Sequence, residues 1–209
     1  QPFTAGPVYV GAFVLLLFIL GIFIVQGPLK WALLGGTLFS VFLAWGHNMM
    51  WLTDLFIDYV PLYNKFRTVS SILVVAEFTI PALAVLALIQ FVREPRAVLQ
   101  NKVALWVSLG LTLGLSLILA LIPGTFFSLM SDQEQDMFRQ AMGNSQLPIP
   151  SIMASLKDAR ASIVSSDAWR SVFVLLLSLG ACALYVWGKI KSPVLYILIG
   201  VITLGDLWL

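Results

Sequence analysis

The stretch SSILVVAEFTIPALAVLALIQFV, residues 70–92, decides the fold of this chain. A helix needs about 20 mainly apolar residues to cross the hydrocarbon core of a bilayer, and this run supplies them. Backbone groups in lipid must be paired within their own segment, so the run predicts a transmembrane helix. It also contains one ionisable side chain, Glu77, followed four residues later by Pro81.

The composition of the whole chain agrees with this interpretation. Of its 209 residues, 60% are hydrophobic and 11% are charged, and the mean hydropathy is +0.97. A soluble domain averages about 45–50% apolar and about 25% charged residues. The chain is therefore expected to be an integral membrane protein. A net charge of +2 without a basic run argues against a nucleic-acid partner.

Apolar runs near the spanning length predict an all-α, polytopic transmembrane bundle of about six helices. The predicted spans are residues 7–25, 29–46, 70–92, 103–123, 168–188 and 193–209. Alternating strands of the barrel type are not evident. Because the chain begins at Gln1 and ends in an apolar run, we expect it to be an internal piece of a longer protein.

The connections between the predicted spans differ in charge. The 1–2, 3–4 and 5–6 connections hold one acid, Glu94, and six bases, which are Lys30, Arg93, Arg96, Lys102, Lys189 and Lys191. The positive-inside rule places short basic loops in the cytoplasm. The N-terminus and the 2–3 and 4–5 loops are then extracytoplasmic.

The two outer loops are expected to form small amphipathic helices. In MMWLTDLFIDYVPLY, residues 49–63, Asp54 and Asp58 share one helical face, which predicts an interfacial or re-entrant piece. The loop at 124–167 predicts one polar helix after Ser131 and a second, amphipathic helix over 151–167.

Glu77 is the sharpest candidate for a functional residue. If its helix begins near Val69, Glu77 lies about 12 Å inside it. An acid at such depth costs about 2.5–3.5 kcal/mol, so it is expected to face a cavity or a partner. Pro81 can kink the helix beside it. Two interpretations stay open: a site residue, or a structural carboxylate paired with a neighbouring helix.

Lys65 and Arg67 lie where this helix is expected to begin, on the predicted outer side. Arginine offers a planar fork for phosphate oxygens, lysine a compact charge, and a helix N-terminus adds free N–H donors. These residues would suit a lipid phosphate. Alternatively, they extend to ordinary headgroups or pair with Asp54 and Asp58.

The other polar residues carry weaker signals. His47 has no second histidine or cysteine at metal-ligand spacing, so no metal site is predicted, although a divalent ion stays open. Asp167 precedes Arg170 by three residues and is expected to cap a helix. Asp206 carries less weight than Glu77. Gly110 and Gly114 have the spacing of a helix-packing motif.

Several blocks resemble YfhO-like bacterial membrane proteins, in a form common in the Bacteroidetes group. The blocks are QPFTAGPVYVGA, KWALLGGTLFSVFLAWG, DYVPLYNKFRTVSSILVVAEFTIPALA and GDLW. The resemblance covers most of the chain; it is most specific around YNKFR and AEFTIP and weakest in the 130–165 loop. It implies a glycosyltransferase of the GT-C class, with many membrane helices and an extracytoplasmic active site.

The resemblance implies a sugar donor carried on a polyprenyl phosphate, a cell-envelope acceptor and a place in the bacterial cytoplasmic membrane. Tyr63, Asn64, Lys65 and Arg67 would then bind the lipid phosphate. The site would be supported by Glu77, Asp54, Asp58 and His47. The catalytic acid of such enzymes is expected in an earlier outer loop, outside this chain, and no cofactor is implied.

Two other functions stay open. A buried glutamate beside a proline kink is also a feature of transporters, so a transporter or flippase of an envelope lipid or small solute is the alternative. A scaffold subunit of an envelope complex is the non-catalytic interpretation.

Overall fold

The computed structural model describes residues 9–44, 72–124 and 149–208, and over these ranges every regular element is a helix. The helices are α1 (Ala12–Ile24), α2 (Pro28–Ala44), α3 (Val74–Arg93), α4 (Pro95–Gln100), α5 (Lys102–Leu121), α6 (Ile149–Val186) and α7 (Ser192–Trp208). The predicted all-α class is confirmed for these residues.

Three helices, α3, α5 and α6, are long and apolar enough to cross a membrane. They overlap the predicted spans at 70–92, 103–123 and 168–188, although α6 begins well before residue 168. The other three predicted spans correspond to shorter apolar helices: α1 has 13 residues, and α2 and α7 have 17 each. A 13-residue helix is about 20 Å long, less than the roughly 30 Å hydrocarbon core. The membrane character is therefore supported, and within the described residues three helices reach spanning length.

Helix α1 lies at the centre of the described bundle, in contact with α3, α5, α6 and α7. It is apolar on every side, which is typical of a fully surrounded helix. Phe13, Leu16 and Leu20 are buried. Gly21 lets α3 approach closely, because a Cβ built on it would lie 3.1 Å from the Leu83 side chain and 3.2 Å from Ala87.

Helices α2 and α3 pack through a pair of buried hydroxyls. The side-chain oxygens of Thr37 and Thr79 are 2.7 Å apart, and each is 2.9 Å from the carbonyl oxygen four residues earlier in its own helix. Gly36 lies opposite Thr79, with 3.4 Å between its virtual Cβ and the threonine methyl. Small residues and interhelical hydrogen bonds drive association in lipid, where the surrounding tails are as apolar as the helices.

Helix α6 continues without a break for 38 residues, or about 57 Å. The sequence predicted a separate amphipathic helix over 151–167 and a new span from 168, but the structure joins them. Asp167 therefore lies inside a helix and is not an N-cap. Ser165 donates a hydrogen bond of 2.7 Å to the Ala120 carbonyl, one of the free carbonyls at the end of α5.

The glycine motif in α5 does not act as predicted. Residues Gly110–Gly114 form a π-helical turn. A Cβ on Gly110 would meet nothing within 4 Å, and one on Gly114 would meet only the Leu109 carbonyl of its own helix at 4.0 Å. The close helix approaches in the described residues are at Gly21 and Gly36 instead.

The two ends of the bundle carry different charges. One end of the bundle contains the starts of α1 and α3, the ends of α5 and α7, and the middle of α6. It includes Glu77, Asp167, Arg170 and Asp206. We call it the acidic end. The opposite end, the basic end, holds Lys30, Arg93, Arg96, Lys102, Lys189 and Lys191, with Glu94. The helix directions thus gather the six bases as the sequence predicted; which end faces the cytoplasm stays a prediction.

Substitution of Gly21 by valine is expected to destabilise the bundle by about 1–3 kcal/mol, because overpacking forces α1 and α3 apart. Gly180→Val is the matched control, since a Cβ at Gly180 meets nothing within 4 Å. Unfolding of the two variants by dodecyl sulfate in mixed micelles measures the difference. Equal losses from both would contradict the close α1–α3 contact.

Candidate functional site

Most of the predicted site falls outside the described residues. His47, Asp54, Asp58, Tyr63, Asn64, Lys65 and Arg67 all lie between residues 45 and 71. Glu77 is the predicted site residue that the structure describes. Its surroundings can therefore be compared with the prediction.

Glu77 lies in the first turn of α3 and is exposed on the surface of the chain. The α-helix begins at Val74, so Glu77 is about 4.5 Å into it instead of about 12 Å. Glu77 is therefore nearer the start of its helix than expected and is not buried within the chain, while its predicted role in a site stays a prediction. In the described ranges no side chain forms a hydrogen bond or ion pair with Glu77. Its negative charge interacts favourably with the positive end of the helix dipole.

Pro81 adds a second acceptor at the same place. It lies inside α3 and has no N–H, so the carbonyl of Glu77, four residues earlier, loses its helical donor. Glu77 thus presents a carboxylate and a backbone carbonyl that lacks its usual α-helical donor. Such a pair can accept hydrogen bonds from hydroxyl or ammonium groups.

An apolar groove between α2 and α3 leads away from this residue. It is lined by Leu29, Leu33, Glu77, Phe78, Pro81, Ala82, Val85 and Leu86. We call it the Glu77 groove. Glu77 and Leu86 are nine residues apart on α3, so the groove follows the helix for about 13 Å. The groove has one charged residue, Glu77, at one end, and the rest of its wall is apolar. No feature of the sequence indicated that α2 contributes to this groove.

A second polar cluster, centred on Asp206, occupies the acidic end. The Asp206 side chain is only 1% exposed. Tyr9 donates its hydroxyl to the carboxylate, at 2.8 Å from Oδ2 and 3.0 Å from Oδ1. The backbone N–H of Ala12, a free donor at the start of α1, donates to Oδ2 at 3.0 Å. The carboxylate therefore caps α1 from the far end of the chain.

Gly11 makes this approach possible. Its φ of +91° is a conformation that glycine adopts readily. A Cβ at this position would lie 3.3 Å from Oδ2 of Asp206. Any larger residue would meet both backbone strain and crowding at the carboxylate.

Arg170 of α6 completes the Asp206 cluster. Its Nε is 3.8 Å from Oδ1 of Asp206, and its Nη1 is 3.9 Å from Oδ1 of the exposed Asp167. The guanidinium carbon also lies 5.5 Å from the centre of the Tyr9 ring, within cation–π range. The buried Nε has no hydrogen-bond partner. The cluster thus contains two carboxylates and one cation.

The chemistry of the Asp206 cluster favours a structural role. Tyr9 precedes α1, and its pKa is raised by burial first, and further by the hydrogen bond and charge of Asp206. The phenol therefore stays protonated and keeps donating. Asp206 accepts hydrogen bonds from Tyr9 and Ala12, lies beside Arg170 and is almost fully buried, so a substrate has little access to it. In the sequence, the one sign of this role is that Asp206 is an acid near the end of an apolar run.

No metal centre is evident in residues 9–44, 72–124 and 149–208. Within these ranges, no three His, Cys, Asp or Glu residues group closely enough to hold an ion. Of the two polar features at the acidic end, the Glu77 groove is the candidate site and the Asp206 cluster is structural.

Replacing Asp206 by alanine is expected to destabilise the bundle by about 3 kcal/mol, near the low end for breaking a buried ion pair because Arg170 is 29% exposed. Asp167→Ala is the matched control. It removes the other acid that lies near Arg170. The Asp167 side chain is 64% exposed, so its ion pair with Arg170 should contribute little to stability. Unfolding in mixed micelles compares them, and similar losses would contradict a structural role specific to Asp206.

Comparison of the chain with protein-family models, curated proteins and solved structures gives no match. The family resemblance of the sequence therefore remains an expectation, and the geometry of the Glu77 groove carries the functional argument.

Proposed function

We propose that the chain is part of an integral membrane glycosyltransferase of the bacterial cytoplasmic membrane. It would move a sugar from a polyprenyl-phosphate donor to a cell-envelope acceptor on the extracytoplasmic face. The observation that carries the proposal is the Glu77 groove, an open apolar groove along α2 and α3 with a carboxylate at one end that no side chain in the described part of the chain pairs with. Such a surface suits a ligand with a hydrocarbon tail and a hydroxyl-rich head.

The groove would hold the isoprenoid tail of the donor. Its walls are apolar side chains such as Leu33, Val85 and Leu86, which suit the methyl-branched hydrocarbon of an isoprenoid tail. The carboxylate and freed carbonyl of Glu77 would accept hydrogen bonds from sugar hydroxyls or orient Lys65 and Arg67. Either the sugar hydroxyls or the two cations would offset the free energy needed to place a carboxylate at the edge of the hydrocarbon core.

The phosphate would be held by the residues that the sequence predicts for it, Lys65 and Arg67, with Tyr63 and Asn64. As the glycosidic bond breaks, negative charge builds on the departing phosphate, and fixed cations stabilise that charge. A carboxylate outside this chain would deprotonate or orient the acceptor hydroxyl. In this mechanism the chain binds and neutralises the donor and leaves the proton transfer to another part of the protein.

Arg67→Ala in the complete protein is expected to lower sugar transfer about 100-fold, because one charge-stabilising group is lost. Membrane insertion should be unchanged. Transfer of radiolabelled sugar in membrane vesicles measures the effect. Lys157→Ala is the control, since Lys157 is an exposed cation in the N-terminal half of α6. Wild-type transfer by the Arg67 variant would overturn the phosphate role.

The transporter alternative draws on the same acid beside Pro81, and Glu77→Gln separates the two functions. The glutamine carbonyl still accepts hydrogen bonds from hydroxyls, so transfer should stay within about tenfold of wild type, whereas Glu77→Leu should lose it. A transporter that protonates Glu77 would lose gradient-driven uptake in Glu77→Gln. Uptake and transfer in the same vesicles, with and without a proton ionophore, distinguish the outcomes.

A further inference from the structure

An apolar cavity of about 280 Å³ lies between α1, α3, α4, α5 and α6. Its wall includes Leu16, Leu20, Phe91, Leu99, Leu105 and Trp187. The Ser108 hydroxyl also lines it but already donates to the carbonyls of Ala104 and Leu105, at 2.8 and 3.1 Å. Apolar cavities without free polar groups hold no ordered water, so a hydrocarbon occupant fits this one best.

The cavity is long enough to take part of a lipid chain. On α1 its wall runs from Phe13 to Leu20, seven residues or about 10 Å along the helix. On α6 it ends at Val186 and Trp187, where that helix finishes. The cavity therefore reaches the basic end of the bundle.

Three cations lie within a few residues of the cavity wall in sequence. Arg93 comes two residues after Phe91, Lys102 three residues after Leu99, and Lys189 two residues after Trp187. All three side chains are exposed. Among the described residues none of them forms an ion pair, although Glu94 is next to Arg93 in sequence. Their charge is thus available to an outside anion.

We propose that the basic end binds an anionic phospholipid, with one acyl chain in the cavity and the phosphate at Arg93, Lys102 and Lys189. Charge complementarity selects this occupant. A zwitterionic lipid would fill the cavity equally well but would bring its own ammonium group to three unpaired cations. Basic pockets between membrane helices are suited to anionic headgroups. The three cations are at the opposite end of the bundle from Glu77, and the site does not depend on the proposed function.

Native mass spectrometry of the chain in mild detergent, titrated with phosphatidylglycerol or phosphatidylcholine of the same acyl chains, tests the site. We expect tighter retention of phosphatidylglycerol by the wild type. Lys102→Gln and Lys189→Gln should each weaken that binding about fivefold, and the double variant about 25-fold. Lys157→Gln, an exposed cation remote from the cavity, should have no effect.

Ala183→Leu tests the acyl chain separately, because Ala183 lines the cavity and the larger side chain takes up its space. It should weaken retention of both lipids. If this variant fails to fold by circular dichroism, the two lysine variants, whose side chains are exposed, still decide the headgroup.

Three results would overturn the proposal. They are equal retention of the two lipids by the wild type, unchanged phosphatidylglycerol binding in the double lysine variant, and displacement of phosphatidylglycerol by equimolar polyprenyl phosphate. The last would assign the cavity to the sugar carrier. A variant that loses sugar transfer but retains phosphatidylglycerol normally would concern only the function of the Glu77 groove and would leave the lipid site standing.

Discussion

The carboxylate of Asp206 is the interaction on which the arrangement of the bundle depends. It joins residues 194 and more positions apart in the chain, because it accepts from Tyr9 and from the first free N–H of α1 while lying beside Arg170. In lipid, helices gain little from hiding apolar surface against each other. A buried, multiply bonded carboxylate therefore contributes direction and register that leucine contacts cannot supply. It fixes where α1 begins relative to α6 and α7.

Close packing positions α1, α2 and α3 against one another. Gly21 brings α1 against α3, and the Thr37–Thr79 pair brings α2 against the other side of α3. Helix α3 is thus held on two sides, and its first turn carries Glu77. The candidate site is on a helix whose position is determined by small residues and hydroxyls, while the site itself stays open. A rigid support beneath an accessible acid is what a ligand-binding surface requires.

The two ends of the bundle present different chemistry to a membrane. The acidic end has an accessible acid at the head of an apolar groove and a second acid buried in the Asp206 cluster. The basic end has exposed cations around a cavity lined by hydrocarbon. A lipid-linked, hydroxyl-rich ligand suits the first end and an anionic phospholipid the second. Both proposals depend on the same property: apolar surface that ends at a charged group.

The sequence by itself determined the helical membrane class, the approximate positions of six apolar segments and the gathering of six bases at one end. These follow from composition, run length and loop charge, which are local properties. Tertiary structure alone decided the role of Asp206, since its partners Tyr9 and Ala12 are far away in sequence. It also decided that α6 continues through Asp167, that Gly21 rather than Gly110 is a close contact, and that Glu77 is exposed in the first turn of α3. Burial and pairing depend on which helices become neighbours, and the pattern of one segment does not specify its neighbours.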